Sequence, residues 1–82
     1  MPVQVAKAIL DTIKKGDLEG VKNEVNKYLR ESGISDASQV LPYLHDDKYH
    51  HNAIFYAALI KEQDPCIRMI EYLVQNGVDV SI

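Results

Sequence analysis

Residues 52–77 read NAIFYAALIKEQDPCIRMIEYLVQNG, and this stretch decides the fold class. Asn52 is a typical N-terminal cap for a helix formed by NAIFYAALIK. Asp64 and Pro65 predict the start of a further helix, because aspartate caps well and proline at the first helical position lacks only a donor that would be unpaired anyway. Gly77 predicts its end. The stretch therefore predicts two helices joined by a turn.

The apolar face of the second of these helices is predicted from the spacing of its side chains. Its members recur at helical intervals and are Cys66, Ile67, Ile70, Leu73 and Val74. On such a face a thiol behaves as a small hydrophobic group rather than as a nucleophile.

The N-terminal part of the chain has the same organisation. Apolar residues recur every fourth position from Val5 to Ile13 and predict an amphipathic helix over about residues 4–14. A glycine follows, and Asp17 is expected to cap a second helix that ends at Gly33. So short a connection makes the two helices antiparallel.

The segment between the two pairs, residues 31–51, carries no helical pattern. Ser35 is expected to cap one irregular helical turn, and Pro42 disfavours helix at Leu41. The polar run HDDKYHH predicts the exposed tip of a connection. No alternating run long enough for a strand competes with an all-α interpretation.

Three stretches of the sequence resemble ankyrin repeats. HNAIFYAA resembles the opening of a repeat and EYLVQNGVDVSI its end, while AILDTIKKGDLEGVKNEV resembles a divergent N-terminal repeat. The resemblance implies an all-α domain of stacked antiparallel helix pairs, a fragment of an α-solenoid, with a long irregular loop between the repeats. Its parts are repeat 1 at about 4–33, a linker at 34–46 and repeat 2 at about 47–79, within a single domain over 1–82.

Three departures from the family pattern affect the expected shape, and one of them is the expanded linker between the repeats. His50 stands where the family usually has glycine in the hairpin turn, so we expect the left-handed backbone conformation to be absent there. The turn KEQDP is longer than usual and lacks the Gly-His pair.

The resemblance also implies a function, which is to bind another protein without catalysis as an adaptor, inhibitor or targeting scaffold. The alternative is a regulatory or substrate-recruiting segment of a larger enzyme or bacterial effector. The positions that match the family's concave binding face are Lys48, Tyr49, His51, Leu59 and Ile60. Tyr49 is the first choice as an anchor, because a rigid amphipathic side chain loses little entropy on binding.

Composition and charge narrow the remaining classes of function and location. The chain has 82 residues, with nine Lys or Arg against twelve Asp or Glu and a net charge of -3. It lacks the clustered basic face that phosphate binding requires, so no nucleic-acid partner is expected. The uncharged stretch at 52–60 is too short to span a membrane, and the N-terminus does not follow the order of a secretory signal. Cys66 has no second cysteine to pair with, which favours an intracellular, cytoplasmic location.

Two chemical alternatives remain open and are not favoured. His45, Asp46, Asp47, His50 and His51 are metal-ligand residue types, yet their spacing fits no specific metal signature and favours a solvated loop. His50 or His51 could pair with the Cys66 thiol, but no orienting group accompanies them. We expect neither an enzyme nor a cofactor.

The sequence ends in VDVSI without a polar cap. Repeats bury their apolar faces only against neighbours, so we expect part of the flank of the fourth helix to be exposed. The expectation is an N-terminal piece of a longer array, or self-association through this end.

Overall fold

The computed structural model describes residues 1–80 of the chain. Within this range the structure has no strand and consists of α-helices, short turns and loops. The helices are α1 (Val3–Lys14), α2 (Leu18–Ser32), α3 (Ala53–Ala58) and α4 (Gln63–Gln75). The all-α class is thereby confirmed. The last two positions of the predicted repeat end, 81 and 82, lie outside the described residues.

The connection between α1 and α2 follows from local chemistry. Gly16 adopts a left-handed φ of 79°, which closes α1, and the Asp17 side chain accepts a hydrogen bond of 3.0 Å from the Gly20 N–H. Gly33 ends α2 with a φ of 70°. The Thr12 hydroxyl of α1 also donates to the Glu24 carboxylate of α2. Both predicted helices are confirmed, to within one residue at the start of α1.

The long loop is more ordered than predicted. It contains two 3-10 turns, Ala37–Gln39 and Leu41–Tyr43, rather than one. The predicted cap at Ser35 is wrong, because Asp36 accepts from the Ser38 N–H at 3.0 Å instead. The expectation that Pro42 keeps Leu41 out of a helical turn is also wrong. Pro42 lies in the first positions of the second 3-10 turn, where a backbone N–H would have no hydrogen-bond partner within the turn, so its absence costs nothing.

The helix α3 begins as predicted and ends earlier. The Asn52 side chain accepts from the Phe55 N–H at 3.1 Å, which confirms the cap. The helix ends at Ala58, so Leu59 and Ile60 lie in the turn that follows it and not on the helix.

The helix α4 begins two residues earlier than predicted. Glu62 is the N-terminal flanking residue and makes no side-chain cap, so the predicted cap at Asp64 is wrong. Asp64 and Pro65 are the second and third helical residues. Proline is tolerated there because the first N–H groups of any helix lack partners within the helix. Gly77, with a φ of 87°, confirms the predicted end.

The buried face of α4 differs from the predicted one. Met69 and Leu73 are fully buried, whereas Ile67 and Val74 are 45% and 44% exposed. Cys66 is half-buried and donates from its Sγ to the Ala57 carbonyl at 3.4 Å. The predicted face was wrong at its two outer positions, because the side of α4 that meets α2 and α3 is centred on Met69.

One apolar core joins the two helix pairs. The helix α1 packs against α2 and α3, and α4 packs against α3 and α2. Leu41 and Leu44 add to the core from the second 3-10 turn and its end. The radius of gyration of 11.5 Å matches the value of about 12 Å for a compact chain of this length. The placement of α1 beside α3 creates the surface on which the predicted binding residues lie.

Candidate functional site

Residues 45–52 form a folded loop that leads into α3, and we call it the finger loop. His45 and Asn52 form an isolated antiparallel bridge at its base. The Asp46 N–H donates to the His51 carbonyl at 3.1 Å, and the His50 N–H donates to the Asp46 carbonyl at 3.2 Å. The loop thus turns back on itself with its ends held together.

The carboxylate of Asp46 organises the finger loop. It accepts hydrogen bonds from the backbone N–H of Tyr49, His50 (3.1 Å) and His51 (3.2 Å), and from the Tyr56 hydroxyl of α3 (3.1 Å). These donors stabilise the anion and lower the pKa of Asp46, and the Tyr49 N–H makes the largest contribution. Burial and the neighbouring carboxylate raise the pKa of the Tyr56 phenol. A network of hydrogen bonds to one partly buried carboxylate therefore fastens the loop to α3.

The sequence pattern identifies Asp46 only as a metal-ligand residue type, and this role in the loop was not predicted. A signal was available, since aspartate commonly hydrogen-bonds to backbone N–H groups shortly after it in the chain. The bond to Tyr56 had no such signal, because it depends on the packing of the loop against α3.

His50 adopts the left-handed conformation, with a φ of 57°, and is the one residue other than glycine to do so within residues 1–80. The expectation that this conformation would be absent is wrong. Histidine tolerates it better than β-branched residues do. Two hydrogen bonds from the His50 N–H to Asp46, one to the carbonyl and one to the carboxylate, hold the backbone there.

The aromatic side chains of the finger loop stack on α3. The rings of Tyr49 and His51 lie 5.5 Å apart at 24°, and those of His51 and Phe55 lie 3.8 Å apart at 22°. The Lys48 Nζ is 5.2 Å from the centroid of the Tyr49 ring. Tyr49 is nevertheless 62% exposed. Its ring is thus held in place and still accessible to a partner.

A groove of about 370 Å³ separates the finger loop from α1, and we call it the finger groove. Val3, Ala6 and Leu10 line it from α1. Lys48 and Tyr49 line it from the finger loop. Most of this surface is apolar, which suits an aliphatic or aromatic side chain of a partner.

The other two predicted residues lie at the opposite end of α3. Leu59 is 44% exposed, while Ile60 is half-buried against the core. Six helical residues at about 1.5 Å each separate the two groups by about 9 Å. The structure therefore divides the predicted face into the finger-loop group of Lys48, Tyr49 and His51 and the pair Leu59 and Ile60. Lys48 and Tyr49 of the first group, and both residues of the pair, line grooves beside α1.

The geometry gives little support to a metal site or to a catalytic pair of a histidine and the Cys66 thiol. Within residues 1–80, no three histidine, cysteine or acidic side chains are placed to hold a metal ion together. The Asp46 oxygens are occupied by the donors described above. The Cys66 thiol contacts the C-terminal part of α3 through Ala57, whereas the histidines precede its N-terminus.

Comparison with known proteins assigns no relative, since no family model, curated protein or solved structure matches this chain. In the part of the chain that the structure describes, no helix is long and apolar enough to cross a lipid bilayer.

Proposed function

We propose that this chain is a non-catalytic protein-interaction module of the ankyrin-repeat type, which binds another protein with the finger loop and the adjoining sides of α1 and α3. Repeat 1 contains α1 and α2, and repeat 2 contains the second half of the finger loop, α3 and α4. Two features of the fold support this assignment. Equivalent helices of the two pairs, α1 and α3, pack side by side. A hairpin-like loop also precedes α3.

A contact within the second pair gives further support to the repeat boundaries. The Asn52 side chain donates from its Nδ2 to the Asp79 carbonyl at 3.3 Å. This bond joins the start of the proposed repeat 2 to its end. It also keeps the finger loop close to the segment that follows α4.

The observation that carries the proposal is the state of Tyr49. Its ring is 62% exposed, yet stacking on His51 and the Asp46 hydrogen bonds restrict it before any partner arrives. Ordering a free side chain on binding costs about 0.5–1.5 kcal/mol, and a restricted one avoids much of this cost. Exposed tyrosines beside an apolar groove are frequent hot spots of protein interfaces.

Affinity capture from a cell lysate tests the proposal. The wild-type chain is compared with Tyr49→Ala and with the matched control Tyr43→Ala. Tyr43 is 75% exposed and lies outside the finger loop. Proteins captured by the wild type are identified, and their affinities for all three chains are measured by calorimetry. We expect Tyr49→Ala to weaken binding about tenfold or more, because hot spots are worth about 2 kcal/mol. Tyr43→Ala should bind as the wild type does.

Equal capture by the wild type and Tyr49→Ala would contradict the proposal. Circular dichroism of both variants establishes that any loss of binding comes from the surface and not from unfolding. We expect unchanged helicity, since both side chains are mostly exposed.

A further inference from the structure

A second groove lies at the far end of α3 from the finger loop, and we call it the turn-end groove. It has a volume of about 420 Å³ and runs between residues 14–16 and residues 59–62. Leu59, Ile60 and Pro65 form its apolar surface. A Cβ atom at Gly16 would lie 3.3 Å from Ile60 and 3.4 Å from Pro65, so glycine keeps this part of the groove open.

The rim of the turn-end groove is strongly cationic. Lys14, Lys15 and Lys61 all line it, and Glu62 is the one acidic residue in its lining. A third of the nine Lys and Arg residues of an acidic chain are therefore gathered at one small surface.

These three lysines are not neutralised by the protein. All three are exposed, and within residues 1–80 none of them makes an ion pair, a side-chain hydrogen bond or a contact with an aromatic ring. The C-terminus of α1 carries a partial charge of about -0.5, which offsets only part of the charge of Lys14 and Lys15. The groove therefore presents positive charge around an apolar surface.

We propose that the turn-end groove binds an acidic polypeptide segment in which an apolar side chain lies between carboxylates. The apolar side chain would cover Leu59 and Ile60, and the carboxylates would face the three lysines. This inference rests on the proposed interaction function and assigns a partner chemistry to the second half of the binding face.

Charge and shape favour a polypeptide over other anions. A nucleic acid gains affinity by releasing counterions along many phosphates, which requires more than three cations and leaves the apolar surface unused. A membrane offers a flat anionic surface, whereas these apolar residues line a groove. A peptide can supply both the charges and the side chain that fills the groove.

Fluorescence anisotropy with a labelled synthetic peptide tests the inference. The probe has one leucine flanked on each side by three glutamates, and comparison peptides replace the leucine with serine or the glutamates with glutamine. The protein variants are Lys15→Glu and Lys61→Glu. The matched control is Lys27→Glu, which makes the same charge change at an exposed position of α2.

We expect saturable binding of the glutamate–leucine peptide by the wild type. Each charge reversal at the groove should weaken it about tenfold at low salt, because an attraction of one unit charge at about 6 Å becomes a repulsion. The effect should shrink at high salt, since exposed charges are screened. Lys27→Glu should change the affinity by less than about twofold, because position 27 is nine residues, or about 14 Å along the helix, beyond the start of α2 beside the groove, which exceeds the screening length of about 10 Å.

Several results would overturn the inference. They are the absence of saturable binding, equal losses in Lys61→Glu and Lys27→Glu, equal binding of the serine peptide, and tighter binding of an oligonucleotide or of anionic phospholipid vesicles than of the peptide. The proposed function is judged separately by Tyr49→Ala. If the chain keeps a partner whose binding depends on Tyr49 but does not bind the peptide, only this inference is contradicted. If the chain binds the peptide but Tyr49→Ala captures the same proteins as the wild type, the proposed function of the finger loop is contradicted.

Discussion

Met69 and Ile67 provide a matched test of which side of α4 faces the core. Substitution by alanine removes three heavy atoms from either side chain and keeps a good helix former in place. Met69 is fully buried, whereas Ile67 is 45% exposed. The two variants therefore differ mainly in how much buried apolar surface they lose.

The magnitudes follow from this difference in burial. Loss of three buried groups at about 0.8 kcal/mol each gives about 2.4 kcal/mol for Met69→Ala, and the cavity left behind raises this to about 3–4 kcal/mol. Ile67→Ala loses about half of the transfer term and opens no closed cavity, so we expect about 1 kcal/mol. A difference of about 2 kcal/mol corresponds to about 8–16 °C in Tm for a domain of this size.

Thermal and urea unfolding followed by circular dichroism at 222 nm measures both losses against the wild type. The slope of the free energy of unfolding against urea should be the same in all three proteins, so that midpoints can be compared directly. If Ile67→Ala destabilised the protein as much as Met69→Ala, the helix would face the core with its other side, and the packing described here would be refuted.

Three further predictions address local structure. Gly16→Ala should cost about 2 kcal/mol in urea unfolding, more than Gly33→Ala at about 1 kcal/mol, because both require a left-handed φ and only position 16 adds a close contact; equal costs would contradict this. Asn52→Ala should cost about 1 kcal/mol through the lost cap, measured in the same way, and no change would contradict the cap. Asp46 has a lowered pKa, so its contribution to order in the finger loop should be complete above pH 3.8 and lost as the pH falls through its lower folded value. Hydrogen exchange of the Tyr49 amide at several pH values measures this, and protection that is insensitive to acid in Asp46→Asn and wild type alike would contradict it.

The caps and stops of the helices were accessible from sequence because they depend on few neighbouring atoms. Asp17 and Asn52 each accept a hydrogen bond from an N–H three residues later, and Gly33 and Gly77 adopt backbone angles that other residues avoid. The start of α4 was missed by two residues. Proline is compatible with more than one position in the first turn, so the sequence left that boundary ambiguous.

The candidate site was accessible only in outline. The polar run before α3 was recognised as an exposed tip, and Lys48, Tyr49 and His51 do lie together in the finger loop. The aromatic stack and the bond from Tyr56 to Asp46 could not be predicted, because they join the loop to a helix that must already be packed. The cationic turn-end groove likewise brings Lys14 and Lys61 together from distant parts of the chain.

The sequence by itself determined the helical class, the order of the elements and most of their ends, since helical periodicity, caps and glycine turns act over a few residues. Only the tertiary structure decided which side of α4 is buried. Apolar residues cover so much of that helix that its periodicity permits more than one buried face, and contact with α2 and α3 selects the one centred on Met69. The tertiary structure also decided how the surface with the two grooves is arranged, because the placement of α1 beside α3 depends on the packing of the whole core.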